Sequence, residues 1–247
     1  MSTCRLCGSS KKLIKAHVIP EAFFRAARGA EPDPPLLVSA GDFPRRAPIG
    51  IYDQGILCSD CEERFGDLDA YGAQVLLNDF HAVFQPVERG GVMAGYESTT
   101  VDAPKLLRFL VAVLWRASVS DRSFYSTARL GALEPAAAVF ALEGRDDAGV
   151  FDAVLSRWRQ PVREDLPSHF LMDPFRHKYE GVNAYRVYLG ESVAEIKVDK
   201  RPFPLRMARV GLRSAPPVRL VLRDLARSSD LSAMRKTAQL SKDRRRA

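Results

Sequence analysis

The sequence is poor in cysteine and tryptophan and has no long apolar segment. Its 247 residues include four Cys, two Trp and four His. The longest apolar run, 106–115, is interrupted by Arg108 and falls short of the roughly 18–20 residues that a membrane-spanning helix needs. The first twenty residues contain no apolar core followed by a cleavage site. We therefore expect no signal peptide, no membrane association, and a cytoplasmic location in which thiols stay reduced.

The second half of the chain lacks the common nucleotide-binding and hydrolase motifs. It has no Walker loop, no G-x-G-x-x-G and no nucleophile-elbow serine, and the chain shows no internal repeat. The composition is 46% hydrophobic and 27% charged, which is ordinary for a globular protein. The length allows one sizeable domain, or a small module fused to a larger one.

Acidic residues are outnumbered, and the imbalance is concentrated at the end of the chain. The sequence has 37 Lys and Arg against 30 Asp and Glu, which gives a net charge of +7. Residues 226–247 hold seven basic and two acidic side chains, so this tail carries +5 of that charge. A basic tail supplies sequence-independent affinity for phosphates, or it solubilises a frayed terminus. The candidate nucleic-acid contacts are Arg244, Arg245 and Arg246.

All four cysteines lie in the first quarter of the chain, in two C-x-x-C pairs. Cys4 and Cys7 form the first pair, Cys58 and Cys61 form the second, and 50 residues separate them. Two such pairs in a reducing compartment predict one tetrahedral four-thiolate site for a structural Zn²⁺. Two disulfides are the alternative.

The two pairs differ in their surroundings. Gly8 follows the first pair, as in a zinc-knuckle turn, whereas the second pair leads into a predicted helix. Ser59 or Asp60 can cap that helix, and Ser59-x-x-Glu62 has the form of a capping box. A knuckle, a hairpin and a helix that supplies the last ligands together make a treble clef.

The segment between the pairs must hold secondary structure of its own. Residues 13–19 form a short β-prone stretch that ends at Pro20, and 21–28 can form a helix. Residues 29–50 contain five Pro and three Gly, which predicts a long loop or irregular arm. Residues 50–57 are then expected to form the strand that enters the second pair.

These motifs resemble a known family. Cys4-x-x-Cys7, then Ala-His17-Val-Ile-Pro20, then Ile-Leu-Cys58-x-x-Cys61, has the order and spacing of zinc-stapled HNH endonucleases, whose ββα-metal core sits on a treble clef. The likeness is to bacterial HNH-like proteins with a "HIIP" first strand and an "LLC-x-x-C-E" second knuckle. It covers about residues 1–72, and a weaker likeness extends to residues 110–118.

The resemblance implies a mechanism and a set of site residues. His17 is the general base that takes a proton from water, and one Mg²⁺ or Mn²⁺ stabilises charge at the scissile phosphate. Asp53 lies where the family's central Asn often lies, and Glu62 lies where the family often has a His or Asn metal ligand. Asp67 and Asp69, further along the same helix, are secondary candidates.

One position departs from the family pattern. Ala16 stands before the base, where many active members carry an Asp, Glu or His ligand. Glu62 compensates for this loss, or the site has decayed and only the zinc fold remains. Plainer interpretations also stay open: a packed strand histidine for His17, a turn residue for Asp53 and a capping-box residue for Glu62.

The rest of the chain predicts helices followed by strands. Residues 103–118 show the strongest helical periodicity, and Trp115 and Trp158 are expected in the core. The other predicted helices are 67–86, 135–142 and 149–159, and the predicted strands are 170–172, 184–189, 193–198 and 218–222. The predicted class is α+β, in which a helical layer packs on a small antiparallel sheet.

These observations divide the chain into three parts. We predict an HNH-like treble-clef zinc module at 1–72, an α+β scaffold or target-recognition domain at 73–225, and a basic tail at 226–247. The predicted function is a metal-dependent HNH-type endonuclease that hydrolyses phosphodiester bonds in DNA. RNA, a protein partner and a homodimer stay open. The alternative is a catalytically decayed zinc module that binds nucleic acid or a protein.

Overall fold

The computed structural model describes residues 3–28, 36–38, 45–46, 50–159 and 170–232. It combines helices with a mixed β-sheet, as the predicted α+β class requires. The helices are α1 (Glu21–Arg28), α2 (Ser59–Glu63), α3 (Gly66–Ala73), α4 (Phe80–Val83), α5 (Ala103–Val119), α6 (Glu134–Glu143) and α7 (Leu205–Ala208). The strands are β1 (Ala16–His17), β2 (Leu36–Val38), β3 (Arg45–Arg46), β4 (Tyr52–Asp53), β5 (Gln85–Arg89), β6 (Val92–Ser98), β7 (Phe151–Trp158), β8 (Phe170–Met172), β9 (Phe175–Tyr179), β10 (Val182–Leu189), β11 (Ser192–Val198) and β12 (Val218–Arg223).

The main sheet is larger than the sequence predicts and is not wholly antiparallel. Seven strands lie in the order β5-β6-β12-β7-β11-β10-β9. The pair β12–β7 is parallel, and its neighbours in the sheet pair antiparallel. The prediction of a small antiparallel sheet is therefore wrong in size and in the direction of this pair.

The predicted helix over 149–159 is also wrong, because this segment is the central strand β7. Seven of its eight residues are buried, so both faces of the strand are covered. A strand covered on both faces loses the alternation of polar and apolar residues that identifies a strand in sequence. Trp158 is buried, as predicted, and so is Trp115 on α5.

Other predicted segments differ from the structure in the number or length of their elements. Within the predicted helix 67–86, α3 passes into a π-helical turn over Gln74–Asn78, then into α4, and β5 begins at Gln85. The predicted loop 29–50 holds β2 and β3, which form a three-stranded sheet with β8. The predicted strands around His17 and Asp53 shorten to the two-residue strands β1 and β4, which pair antiparallel.

Helix α5 joins the N-terminal elements to the main sheet. It packs against α3, α6, β7 and β11. Phe109 on α5 stacks on Phe23, and Trp115 stacks on Phe65, with ring centroids 5.9 and 5.7 Å apart. A Cβ atom at Gly72 would lie 2.5 Å from the Phe109 ring, so α3 approaches α5 this closely only with glycine there. One hydrophobic cluster consequently runs from the N-terminal elements to the end of the sheet.

A buried network of charges lies on the main sheet. Asp230 and Glu195 are 1% and 2% exposed and accept hydrogen bonds from two arginines. Arg186 donates to Glu195 at 2.6 Å and to Asp230 at 2.5 Å, and Arg223 donates to the same two carboxylates at 3.0 and 3.3 Å. The Nε2 atom of His177 lies 2.6 Å from Glu195. The network therefore fixes the segment after β12 to the sheet.

Of the helices in the described part of the chain, none has both the length and the apolar character needed to cross a membrane.

Candidate metal centre and adjoining polar cluster

Four cysteine sulfurs converge at the N-terminal end of α2. The Sγ atoms of Cys4, Cys7, Cys58 and Cys61 all lie within 4.8 Å of one another. Those of Cys7 and Cys58 are 3.9 Å apart. Cys7 is exposed and the other three are buried. The four side chains lie close enough together to hold one metal ion.

The backbone around the first pair folds into a tight turn. The N–H of Gly8 donates to the carbonyl of Cys4 at 2.9 Å, and Gly8 has φ +70°, which favours glycine. The N–H of Arg5 donates to the carbonyl of Ile56 at 2.8 Å, just before the second pair. This bond fixes one pair against the other.

The predicted capping box is wrong. Helix α2 begins at Ser59, its N-cap residue is Cys58, and no side chain caps it. The hydroxyl of Ser59 donates instead to Asp60 at 3.2 Å. The cap position is taken by a cysteine whose sulfur lies in the cluster. Glu62, the expected partner of Ser59, lies instead near the backbone N–H of His17, which lowers its pKa.

The thiols differ in acidity because their surroundings differ. Hydrogen bonds from the side chain and backbone of Ser9 lower the pKa of Cys7 to about 6. Burial raises the pKa of Cys61 above its usual range. A metal cation among the sulfurs would favour the thiolate form of all four.

His17 lies on one face of the β1–β4 ribbon, beside an aromatic and a basic residue. It pairs across the ribbon with Tyr52, and the ring centroids are 6.2 Å apart in an edge-to-face arrangement. The ammonium of Lys15 lies 5.1 Å from the centroid of the Tyr52 ring. His17 is half-buried and Lys15 is exposed. This face therefore presents an imidazole, a phenol and a positive charge together.

Asp53 belongs to the opposite face of the same ribbon. It pairs with Ala16, and successive strand residues point to opposite faces. Its carboxylate accepts a hydrogen bond from the N–H of Gly55 at 2.8 Å and another from the hydroxyl of Ser120 at 2.7 Å. Asp53 is 5% exposed. The carboxylate thus fixes β4 to the end of α5, and the structure does not bring it to the His17 face.

Glu62 lies near His17 and has one oxygen without a partner among the described residues. The backbone N–H of His17 lies close enough to the carboxylate to lower its pKa. Its buried Oε2 atom makes no hydrogen bond within the described residues. Burial raises the pKa of Glu62, the charge of Arg116 opposes this rise, and the charge of Asp69 adds to it. A buried carboxylate oxygen of this kind lacks a polar partner among the described residues.

Arg116, which the sequence analysis did not single out, is buried beneath this site. Its side chain is fully buried and donates two hydrogen bonds to Asp69, at 2.7 and 2.5 Å. The guanidinium carbon lies 5.3 Å from the centroid of the Phe65 ring. The sequence does carry a signal: Arg116 follows Trp115 on the buried stripe of α5, and a buried arginine requires a carboxylate partner.

The structure therefore brings together only some of the predicted site residues. His17 and Glu62 are neighbours, Asp53 belongs to the other face, Asp69 is paired with Arg116, and Asp67 is exposed. Within the described ranges, no second group of three or more His, Cys, Asp or Glu ligand atoms lies as close as the cysteine cluster. The three tail arginines, 244–246, lie outside the described residues.

Comparison with known proteins found no match to this chain among protein-family models, curated proteins or solved structures.

Proposed function

We propose that this chain is a zinc-stabilised HNH-type nuclease that hydrolyses phosphodiester bonds in DNA, with His17 as the general base. One observation carries the proposal. The backbone N–H of the half-buried His17 lies close enough to the Glu62 carboxylate to lower its pKa, and Glu62 directly follows the last cysteine of a four-sulfur cluster. A candidate base and a candidate metal ligand are thereby held beside a metal-binding scaffold.

The cysteine cluster supports a structural Zn²⁺ on two grounds. Four thiols are the donor set that zinc prefers in structural sites. In a tetrahedral site with Zn–S bonds of about 2.3 Å, the sulfurs lie about 3.8 Å apart. The 3.9 Å between the Sγ atoms of Cys7 and Cys58 agrees with this spacing. The four cysteines therefore fit zinc.

The local topology supports the proposal of a treble clef. The Cys4–Cys7 turn, the antiparallel pair β1–β4 and helix α2 follow one another around the cluster. Leu13 forms an antiparallel bridge with Cys58, which extends the ribbon to the second pair. His17 then stands on the first strand of a ββα unit, where the HNH resemblance requires a general base.

The chemistry assigned to this chain uses two side chains. His17 is assigned the role of general base, which accepts a proton from the attacking water molecule. Glu62, whose buried Oε2 makes no hydrogen bond within the described residues, is the side chain that would hold Mg²⁺ or Mn²⁺. When bound, the divalent ion supplies charge stabilisation at the phosphate. Lys15 and Tyr52 lie beside the base and can contact the phosphate backbone or a base.

A second candidate function is a zinc module that binds nucleic acid or a protein without catalysis. This non-catalytic function is favoured because two of the candidate acidic residues already have hydrogen-bond or ion-pair partners within the protein. Asp53 accepts hydrogen bonds from Ser120 and Gly55, and Asp69 is paired with Arg116. Ala16 is buried and offers no ligand. Glu62, by contrast, has a buried oxygen that makes no hydrogen bond within the described residues.

Substituting His17 tests the proposal directly. His17→Ala should reduce metal-dependent nicking of supercoiled plasmid by about 10²–10⁴-fold, which is the range for loss of a general base. Assays with Mg²⁺, Mn²⁺ and EDTA at low salt would measure this reduction. The matched control is His81→Ala, because His81 is exposed on α4 and lies outside the site.

The outcomes separate the two functions. Metal-dependent cutting that is lost in His17→Ala and kept in His81→Ala supports the nuclease. Equal cutting by wild type and His17→Ala would place the base elsewhere. A wild-type protein that contains zinc and binds DNA without cutting it would favour the binding module.

The basic tail should add DNA affinity in proportion to its charge. Residues 233–247 hold six basic and one acidic side chain. A chain that ends at Ser232 should bind duplex DNA more weakly, and the slope of log K against log salt should flatten by roughly 0.9 per lost phosphate contact. The end point matters because Asp230, just upstream, belongs to the buried network. Fluorescence anisotropy at several salt concentrations measures the slope, and an unchanged slope would exclude phosphate contacts by the tail.

A further inference from the structure

A cavity of about 490 Å³ lies where the first turns of α5, the end of α6, the end of β6 and the loop before β12 meet. Protein sites for small molecules usually measure about 300–1,000 Å³ and are lined mostly by apolar side chains. The cavity has this character, because its lining includes Val101, Leu107, Phe140, Leu212 and Val218. It is therefore large enough for a small organic molecule.

Arg108 brings a positive charge to the lining of this cavity in a fixed orientation. Its Nε and Nη2 atoms donate to the carbonyls of Ala141 and Leu142 at 2.9 and 2.6 Å, in the last turn of α6. Both acceptors are uncharged, and Arg108 forms no ion pair within the described residues. A guanidinium has further N–H donors beyond these two bonds. The charge of Arg108 is thus held in place without a carboxylate to neutralise it.

Arg213 contributes a second guanidinium, beside an aromatic ring of the lining. Its Nε atom donates to a backbone carbonyl of β7 at 2.6 Å, and its Nη2 atom donates to Asp146 at 2.7 Å. The guanidinium carbon lies 5.6 Å from the centroid of the Phe140 ring. Asp102 is the one acidic residue of the lining, and its carboxylate caps α5 by accepting the N–H of Lys105 at 2.9 Å. Two guanidinium groups therefore stand against one carboxylate.

We propose that this cavity binds a small organic anion, which combines an apolar ring system with one acidic group such as a carboxylate or a sulfonate. The rings pack against the apolar lining around Leu107 and Phe140, and the acidic group accepts hydrogen bonds from the guanidinium of Arg108. The excess of positive charge in the lining disfavours an organic cation. The site goes beyond the proposed nuclease, because His17, Glu62 and the four cysteines lie outside this lining.

Two fluorescent probes that share one apolar body test the site. Anilinonaphthalene sulfonate carries a negative charge, whereas N-phenylnaphthylamine has the same rings and no charge. Each probe is titrated against the full-length, zinc-loaded chain, and the increase in fluorescence gives its dissociation constant. Thermal unfolding is followed in parallel, because a probe that binds the folded protein raises Tm and one that prefers the unfolded chain lowers it. Neither measurement depends on DNA cleavage.

Two variants locate the bound probes. Arg108→Met removes a charged hydrogen-bond donor, so the sulfonate probe should bind about tenfold more weakly or worse while the neutral probe binds as before. Ala103→Phe adds a ring four residues before Leu107, on the same face of α5, and should abolish the binding of both probes because both positions line the cavity. The matched controls are Arg219→Met and Ala136→Phe, which should bind both probes like the wild type. Arg219 is half-buried, Ala136 is exposed, and both lie outside the lining.

Each result decides for or against the proposal. Equal binding of the sulfonate probe by the wild type and Ala103→Phe would place that probe outside the cavity, and no binding to the wild type would reject the site. An Arg108→Met protein that loses affinity for both probes equally, or for neither, would overturn the assignment of an anionic ligand. If Arg108→Met does not fold, Arg213→Met removes the other guanidinium and should show the same selective loss of the sulfonate probe.

Discussion

Cys58→Ser is expected to release the bound metal ion and to unfold the N-terminal elements. Cys58 supplies one of four converging sulfurs and is also the N-cap residue of α2, so its loss removes a ligand and disturbs the start of the helix. Structural zinc sites in small modules contribute about 10 kcal/mol or more to folding. Most of that contribution should disappear with one thiolate, and a strong chelator should have the same effect on the wild type.

Two measurements together test this prediction: the metal content of the protein and its thermal unfolding. Elemental analysis should find about one zinc per chain in the wild type and far less in Cys58→Ser, whose unfolding should begin at a lower temperature. Lys11→Ala is the matched control, because Lys11 forms an exposed ion pair with Asp60 next to the cluster. It should keep zinc and stability. A Cys58→Ser protein that stays folded without metal would end the proposal of a zinc-stabilised module.

Asp230→Asn is expected to lower the stability of the folded protein strongly. Asp230 is 1% exposed and accepts hydrogen bonds from Arg186 and Arg223. The substitution leaves two guanidinium groups with Glu195 as their remaining carboxylate. Breaking a buried ion pair by removing one partner costs about 3–5 kcal/mol. For a chain of this size, that cost lowers Tm by roughly 10 °C.

Calorimetry or thermal circular dichroism would check the shift in Tm. The control is Glu180→Gln, because Glu180 pairs with Arg206 at 2.9 Å with both side chains more than half exposed. An exposed pair contributes about 0–1 kcal/mol, so the control should hardly move Tm. Equal small shifts in both variants would mean that the segment after β12 does not depend on the network.

The parts of the fold that the sequence predicts are those with a strong local signal. Helix α5 was predicted over 103–118 and is found at Ala103–Val119, because its apolar residues recur at three and four residue intervals. Strand β7 was mistaken for a helix because it is covered on both faces. The break of the predicted helix 67–86 into α3, a π-turn, α4 and β5 likewise follows from packing rather than from local pattern.

In the candidate site, too, some features were predictable from local sequence and others were not. Spacing alone indicated the four cysteines, and their convergence agrees with it. The partners of the acidic residues were beyond prediction, because they come from distant segments. Asp53 is bound by Ser120, and Asp69 by Arg116, across 67 and 47 residues of sequence respectively. A carboxylate read as a candidate ligand in the sequence can therefore be a structural anchor in the fold.

The position of β12 determines when the protein can finish folding during its synthesis. This strand, Val218–Arg223, lies between β6, which ends at Ser98, and β7, which begins at Phe151. The ribosome therefore makes both neighbours long before the strand that joins them. Until Arg223 has emerged, the nascent chain exposes two open strand edges of the kind that promote aggregation. A chain released by premature termination before Val218 would keep both edges open. Such a fragment would be prone to aggregate and would be a substrate for cellular quality control.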